Sequence, residues 1–307
     1  MSNKVHAGAG PWLAVISVAF WGMLPVVSKG LLDVVDAYTL NFYRFVVATI
    51  LLSFYLYLKG QPAVLVRLQP RQYLLLIAAV IGLLVNHLMF MDALNYIPAG
   101  ASQMIIQLGP IALLLLSVFF LREPFTLPQW LGVLTFSAGL LLFFNDRLPE
   151  IFSASSEYAF GILYMTVAAL IWIFYGMGQK LLTGKVVPVF LLLCCYSVGV
   201  LVLLPVADVK AILSFNPIQL WLLAGSCFTS LLAYICFGES LVRWEASKSS
   251  ALLAFIPLVA LCYENIFALI LPQYVTAEQL NWISFVGAAL VVGGCLAVTR
   301  KNSKTAK

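Results

Sequence analysis

The chain has 307 residues, of which 63% are hydrophobic and 9% charged, with a formal net charge of +5. Soluble domains carry about 25% charged residues, so this chain cannot cover itself with polar surface in water, and the bilayer must be its solvent. That excludes a soluble enzyme or binding module. It also leaves the positive charge to be explained by where the basic residues fall.

A helix needs about 20 apolar residues to cross the hydrocarbon core. The sequence predicts ten such runs, near 12–32, 38–59, 72–94, 99–121, 127–145, 158–180, 187–206, 217–239, 249–271 and 279–299. Met1–Pro11 carries Lys4 as its single Lys or Arg, and no small-residue cleavage site follows, so the first helix is expected to stay as a signal anchor. Polar segments separate most runs: Asp33–Asp36, Gly60–Arg71, Arg122–Pro124, Asn145–Glu157, Thr183–Val187, Asp208–Pro217 and Arg243–Lys248. The connections at 95–98 and 272–278 are shorter and less polar. Long unbroken apolar runs select helices over a barrel, since either must satisfy its backbone groups internally.

The basic residues set an orientation. With a cytoplasmic N-terminus, Lys4, Lys59, Arg67, Arg71, Arg122, Lys180, Lys185, Arg243, Lys248, Arg300, Lys301, Lys304 and Lys307 lie inside, against Lys29, Arg147 and Lys210 outside. Both termini are then cytoplasmic and the number of spans is even. The net charge becomes a topology signal, and no nucleic-acid partner is needed to explain it.

The two halves resemble each other. Trp21 and Lys29 fall on Trp172 and Lys180, while Phe90, Ser102 and Pro110 fall on Phe237, Ser249 and Pro257. Gly132 and Gly139 share the spacing of Gly287 and Gly294. Two tandem units of five spans point in opposite directions, the inverted-repeat plan of secondary transporters. The expected fold is an all-α membrane protein with ten transmembrane helices as two inverted five-helix repeats. The first repeat is placed at 1–146, an extracytoplasmic linker at 147–157, the second repeat at 158–300 and a cytoplasmic basic tail at 301–307.

The segment AVISVAFWGMLPVVSKG (Ala14–Gly30), with its Trp-Gly pair, is similar to the first helix of the EamA-type family of the drug/metabolite transporter superfamily. LNFYRF (Leu40–Phe45) resembles that family's second-helix arginine segment. IPAGASQMIIQLGPIALLLLSVFFLREPFTLPQWLGVLTFSAGLLL (Ile97–Leu142) resembles its fourth and fifth helices. The second half follows more loosely: it keeps Ala246–Ser250 and Pro257, but Leu271–Pro272 stands where the family has glycine-glutamate. The resemblance implies a carrier in a bacterial inner membrane that works by alternating access around a central cavity, often exporting amino acids or other metabolites.

Ionisable residues inside spans are functional candidates by default, because each costs roughly 2.5–3.5 kcal/mol at a helix centre. Arg44 and Glu264 stand about four residues from the middle of their helices, roughly 6 Å along the axis, and His87 falls at similar depth, so the three could line one polar cavity. A carboxyl in apolar surroundings resists ionisation and a nearby guanidinium favours it. Glu264, whose repeat counterpart is Ser117, is therefore a candidate for proton coupling as well as for substrate binding. The other reading is a fixed Arg44–Glu264 ion pair that holds helices together. His87, which follows Asn86, fits either a helix–helix hydrogen-bonding pair or a proton relay.

Trp21 and Trp172 lie away from the interfaces where Trp normally anchors. They fit facing walls of a cavity or plain packing. Tyr43, Gln103, Gln107, Tyr175, Gln179 and Tyr196 could donate hydrogen bonds to a substrate. Glu123 beside Arg122 fits a structural loop role, and His6 lies in the N-terminal tail. Pro25, Pro110 and Pro257 are expected to interrupt helices, and the paired glycines to mark close-packing surfaces.

Cys194, Cys195, Cys227, Cys236, Cys262 and Cys295 all fall in apolar runs without metal-ligand spacing and behave as small hydrophobes. The chain has no GxxxxGK[ST], GxGxxG, HExxH or GxSxG motif, so no cofactor or metal is expected. Energy would come from an ion gradient or from the substrate's own gradient. The expected function is secondary active transport of a small polar or amphipathic metabolite, an amino acid or a relative, in the export direction and coupled to protons. Membrane lipids, the substrate and protons are the expected partners, in a monomer or homodimer. The alternatives are an intramembrane enzyme acting on a lipid or isoprenoid, and a passive metabolite channel.

Overall fold

The computed structural model describes residues 9–60, 68–121, 125–153, 155–182, 185–244 and 246–299. Every element among them is helical. In chain order these are α1 (Ala9–Lys29), α2 (Ala37–Leu58), α3 (Pro70–Ala93), α4 (Ala99–Ile106), α5 (Leu108–Leu121), α6 (Leu127–Phe143), α7 (Leu148–Ile151), α8 (Glu157–Leu181), α9 (Pro188–Leu203), α10 (Pro217–Arg243), α11 (Ala246–Leu253), α12 (Ile256–Ile270) and α13 (Trp282–Thr299).

Local signals explain most of the boundaries. Asp36 starts α2 by accepting the N–H groups of Tyr38 and Thr39, both at 2.9 Å, which satisfies two of the donors left free in a first turn. Thr126 with Gln129 and Asn216 with Gln219 form reciprocal caps on α6 and α10. Proline opens α3, α6, α9 and α10, where its missing N–H costs nothing.

Among the described residues, eight stretches are long and apolar enough to cross a membrane, counting Ala99–Leu116 and Ala251–Ile270 as one stretch each. Joining α6 to Asn145–Ile151 across a 61° bend gives a ninth. Helix α9 is apolar but shorter, at 16 residues.

The three candidate prolines behave differently. Pro25 sits inside a continuous α1 and does not interrupt it, contrary to the sequence expectation. Pro110 and Pro257 do lie beside breaks, between α4 and α5 at Gln107 and between α11 and α12 at 254–255. A proline has no N–H for the carbonyl four residues back, so Pro257 leaves the Leu253 carbonyl without its helical donor. The Gln107 side chain takes that role, with Nε2 donating to Leu253 O at 3.1 Å. The break in one broken helix is thereby satisfied from the break in the other.

Helix α1 packs on α10, α3 on α8, α2 on α9 and α6 on α13. The α6–α13 seam is a backbone contact made by four glycines. A Cβ on Gly139 would stand 2.6 Å from the Val291 nitrogen, and one on Gly132 2.8 Å from the Val298 nitrogen. Gly287 presses as closely on the Phe143 backbone, and Gly294 on that of Phe136. The expected close-packing role of these glycines is what the packing displays.

Candidate functional site

Two separate polar clusters lie inside the apolar bundle. The first is built on α2, α3 and α9. Arg44 is 2% exposed, and its Nη1 donates to Asn41 Oδ1 at 2.7 Å. Asn41 in turn donates to the Ala37 and His87 carbonyls at 2.9 and 3.2 Å, tying α2 to α3. Asn86 donates to the Ala168 carbonyl at 2.9 Å, tying α3 to α8. His87 Nδ1 lies 2.9 Å from the Leu83 carbonyl of its own helix, and its ring meets Phe45 and Tyr196 at 5.5 and 5.8 Å. Asn86 and His87 therefore do not bond one another; each is held by a carbonyl.

Three polar groups in this region are buried without a protein partner: Arg44 Nε, the Tyr175 hydroxyl and the Tyr196 hydroxyl. Tyr196, Cys227 and Tyr234 are among the electrostatic neighbours of Arg44. Tyr175 neighbours Tyr234 and Tyr196 in the same way.

Tyr234 of α10 joins the two expected aromatic walls. Trp21 stands edge-on to the Tyr234 ring at 5.0 Å and tilted to Phe237 at 5.6 Å. Trp172 meets Tyr175 at 6.1 Å, and its indole N–H bonds the Tyr234 hydroxyl. Tyr175 and Tyr234 meet at 6.4 Å. The register that sets Phe90 on Phe237 also sets His87 on Tyr234, and this is the signal that could have found Tyr234 in the sequence.

The second cluster surrounds Glu264, which is 1% exposed. Its Oε1 accepts the Ala99 N–H and its Oε2 the Gly100 N–H, both at 3.0 Å. Helix α4 begins after Pro98, which has no side-chain oxygen to cap it, so the carboxylate of α12 does the capping from outside. Lys29 completes this clasp: its Nζ donates to the Leu94 and Ile97 carbonyls at 2.6 and 2.9 Å. A cavity of about 160 Å³ opens beside it, lined by Lys29, Asp33, Asn95, Gln273 and Thr276 among others. Lys29 entered the sequence reading as a repeat match to Lys180 and as an outer-side charge; its place as the basic residue in the last turn of α1 was the available clue.

Arg44 and Glu264 thus do not form the ion pair that the sequence allowed. Arg44 is satisfied at Nη1 by Asn41, and Glu264 is spent on the α4 backbone. His87 goes with Arg44, not with Glu264. Tyr43 serves the scaffold: its hydroxyl donates to the carbonyls of Asp208 and Val209 and accepts the Ile212 N–H at 3.0 Å. Gln107 bridges the helix breaks, and Gln103 is buried on α4. His6, Arg122 and Glu123 lie outside the described residues, as does the basic tail 301–307.

Beyond the two clusters, Arg147 bonds Glu150 at 2.8 Å and Glu278 at 3.2 Å, and Tyr158 donates to Glu278 at 3.2 Å. Burial pushes the Glu278 carboxyl above its usual range, against the pull of Tyr158 and Arg147. Arg147 is more exposed and gains from the same contacts: its hydrogen bond to Glu150 raises its pKa.

The family model described as the EamA-like transporter family matches residues 8–145 and again residues 159–300. An uncharacterised inner membrane transporter of Escherichia coli strain K12, YhbE, is 34% identical over 294 residues, covering 95% of this chain and 92% of its own. An uncharacterised transporter of Haemophilus influenzae is 34% identical over 283 residues, covering 92% of both. A solved crystal structure with 16% identity superposes with a TM-score of 0.64 over 94% of this chain and 96% of that one, a likeness of fold alone.

Proposed function

Because the chain belongs to the EamA-like transporter family, we propose that it is a secondary carrier exporting a small polar or amphipathic metabolite, an amino acid or a related compound, by alternating access coupled to protons. It is a multi-pass protein of the bacterial inner membrane, and its family and relatives are those of transporters, not of enzymes. We read ten spans in it, adding α6 and α9 to the eight longer stretches. Each of the two lies along a partner span, α6 on α13 and α9 on α2, which supports counting them.

The observation that carries the carrier reading is the Gln107–Leu253 bond between two broken helices. Broken helices meeting inside a bundle are where transporters place substrate sites, since freed backbone groups and a mobile joint coincide there. The packing supports two inverted repeats. Exchanging the halves turns the α1–α10 contact into α8–α3 and the α1–α12 contact into α8–α5, while α2–α9 and α6–α13 map onto themselves. Such an arrangement gives two conformations of related energy, as alternating access requires.

Proton coupling is assigned to Glu264, with His87 as a second candidate. A carboxylate holding the first turn of α4 would release it on protonation, since a neutral acid accepts hydrogen bonds less strongly than a carboxylate. Movement of α4 would then follow the proton.

The test is untargeted mass spectrometry of medium from cells overproducing the protein, beside a well-inserted Glu264→Gln variant and an empty vector. A defined metabolite that accumulates outside only with the native chain supports proton-linked export. Accumulation with both chains leaves export standing and removes Glu264 from coupling. Native medium identical to the empty-vector medium overturns export in that host.

A further inference from the structure

The Arg44 cluster has a property that the scaffold does not explain. Arg44 is a permanent cation, 2% exposed, and among the described residues no carboxylate forms an ion pair with it; two tyrosines and a cysteine are among its neighbours. A buried charge without a counter-charge costs several kcal/mol, and Asn41, a neutral amide, occupies only Nη1. Nε points into the same interior without an acceptor, and so do the hydroxyls of Tyr175 and Tyr196. Arg44 Nε and the Tyr196 hydroxyl lack partners beside one positive charge, with the unpartnered Tyr175 hydroxyl neighbouring Tyr196, and an anionic oxygen group is a complement that they share.

Geometry narrows the class of anion. A guanidinium presents Nε and a terminal nitrogen as a parallel fork that matches a carboxylate. One cation balances a monoanion and would leave a phosphate dianion half-neutralised. Phe45 lies tilted against Tyr196 at 5.3 Å, and the ring series Trp21–Tyr234–Tyr175 adjoins them, Tyr175 and Tyr234 both neighbouring Tyr196. These surfaces suit an apolar body rather than a sugar or a second charge. We propose that the Arg44 cluster is the carrier's substrate site, and that it takes the carboxylate of an amphipathic monocarboxylate on Arg44 and the Tyr196 hydroxyl, with Tyr175 adjoining and the aromatic rings covering the apolar remainder. This rests on the carrier reading and goes further by fixing which end of the substrate the protein holds. Glu264, bound to the α4 backbone, takes no part in it.

The experiment measures thermal stability of the full-length purified protein with sodium monocarboxylates as probes. The panel holds acetate through octanoate, phenylacetate, L-leucine and L-phenylalanine, each beside its methyl ester. At least one acid is expected to raise the melting temperature while its ester does not. Its apparent Kd should weaken about 10- to 100-fold in Arg44→Gln, the range for a hydrogen bond to a charged group. Arg44→Lys keeps the charge without the fork and should fall between. Tyr196→Phe and Tyr175→Phe remove hydroxyls that no protein group uses, so they should fold as well as the native chain and still weaken the acid. No stabilisation by any acid, equal stabilisation by ester and acid, or undiminished binding in Arg44→Gln overturns the proposal. Counterflow of the best probe in proteoliposomes separates the two levels. Binding without counterflow sinks the carrier reading, and counterflow of a neutral or cationic compound with no effect of Arg44→Gln sinks the carboxylate site alone.

Discussion

Glu264 and Gly100 are joined side chain to backbone, the carboxylate accepting the Gly100 N–H at 3.0 Å, and the glycine is what makes the approach feasible. A Cβ at Gly100 would stand 2.6 Å from Glu264 Oε2 and collide with Leu261. Gly100→Ala is therefore expected to destabilise the protein by about 1–3 kcal/mol, the usual cost of overpacking. A melting temperature equal to the native one would show that α4 does not depend on this contact.

Glu264→Gln keeps one acceptor and loses the charge that favours a helix N-terminus, while Glu264→Ala loses the cap outright. The cap is expected to contribute about 0.5–2 kcal/mol, so Ala should melt below Gln and Gln below native. Transport in proteoliposomes supplies the second readout. The native rate should respond to an imposed pH gradient, and the Gln variant, if it still transports, should not.

Gln107 supplies a donor to the Leu253 carbonyl across the two helix breaks. Gln107→Leu keeps most of the volume and leaves that part-buried carbonyl without this donor, a cost of about 1 kcal/mol. Loss of stability with an altered transport rate is the expected outcome in a melting and uptake pair. An unchanged protein in both would remove the break contact from the mechanism.

The α6–α13 seam predicts intolerance of any side chain. Gly287→Val places its Cβ against the Phe143 backbone, which cannot turn aside as a side-chain tip could. The expected result is failure to insert or a melting temperature lowered by more than that of Gly293→Val, since Gly293 has nothing within 4 Å of its added Cβ. Equal behaviour of the two variants would refute the seam.

Glu278, in the loop before α13, predicts a pH dependence of stability. Its carboxyl is raised by burial above the unfolded value, so its contribution is fully present below the unfolded pKa and is lost as pH rises through the folded one. Between about pH 4 and about pH 8, the native melting temperature should fall further than that of Glu278→Gln. Parallel curves would mean that Arg147 and Tyr158 offset the burial in full.

Much of the helical layout was legible because apolar runs of bilayer length are properties of composition along the chain. The predicted run at 38–59 became Ala37–Leu58 and that at 158–180 became Glu157–Leu181. The breaks near Pro110 and Pro257 were legible for the same reason, since a missing N–H is written in the sequence; Pro25 shows that the same residue inside α1 can be absorbed by neighbouring packing. Rotation about each helix axis was not readable.

Rotation decided the site. Arg44, His87 and Glu264 share a depth in the sequence, yet Arg44 turns toward Asn41 and Tyr196 while Glu264 turns toward α4. Tyr43, one residue from Arg44, faces a different way and ties down the loop at 208–212. Successive helical residues point about 100° apart, so only packing against specific neighbours fixes which of them meet. The sequence by itself determined a helical, membrane-embedded chain of the EamA type and the polar residues it carries inward. Tertiary structure alone determined that its buried acid caps a helix while its buried arginine keeps Nε unmet, because both outcomes depend on which helices pack around them.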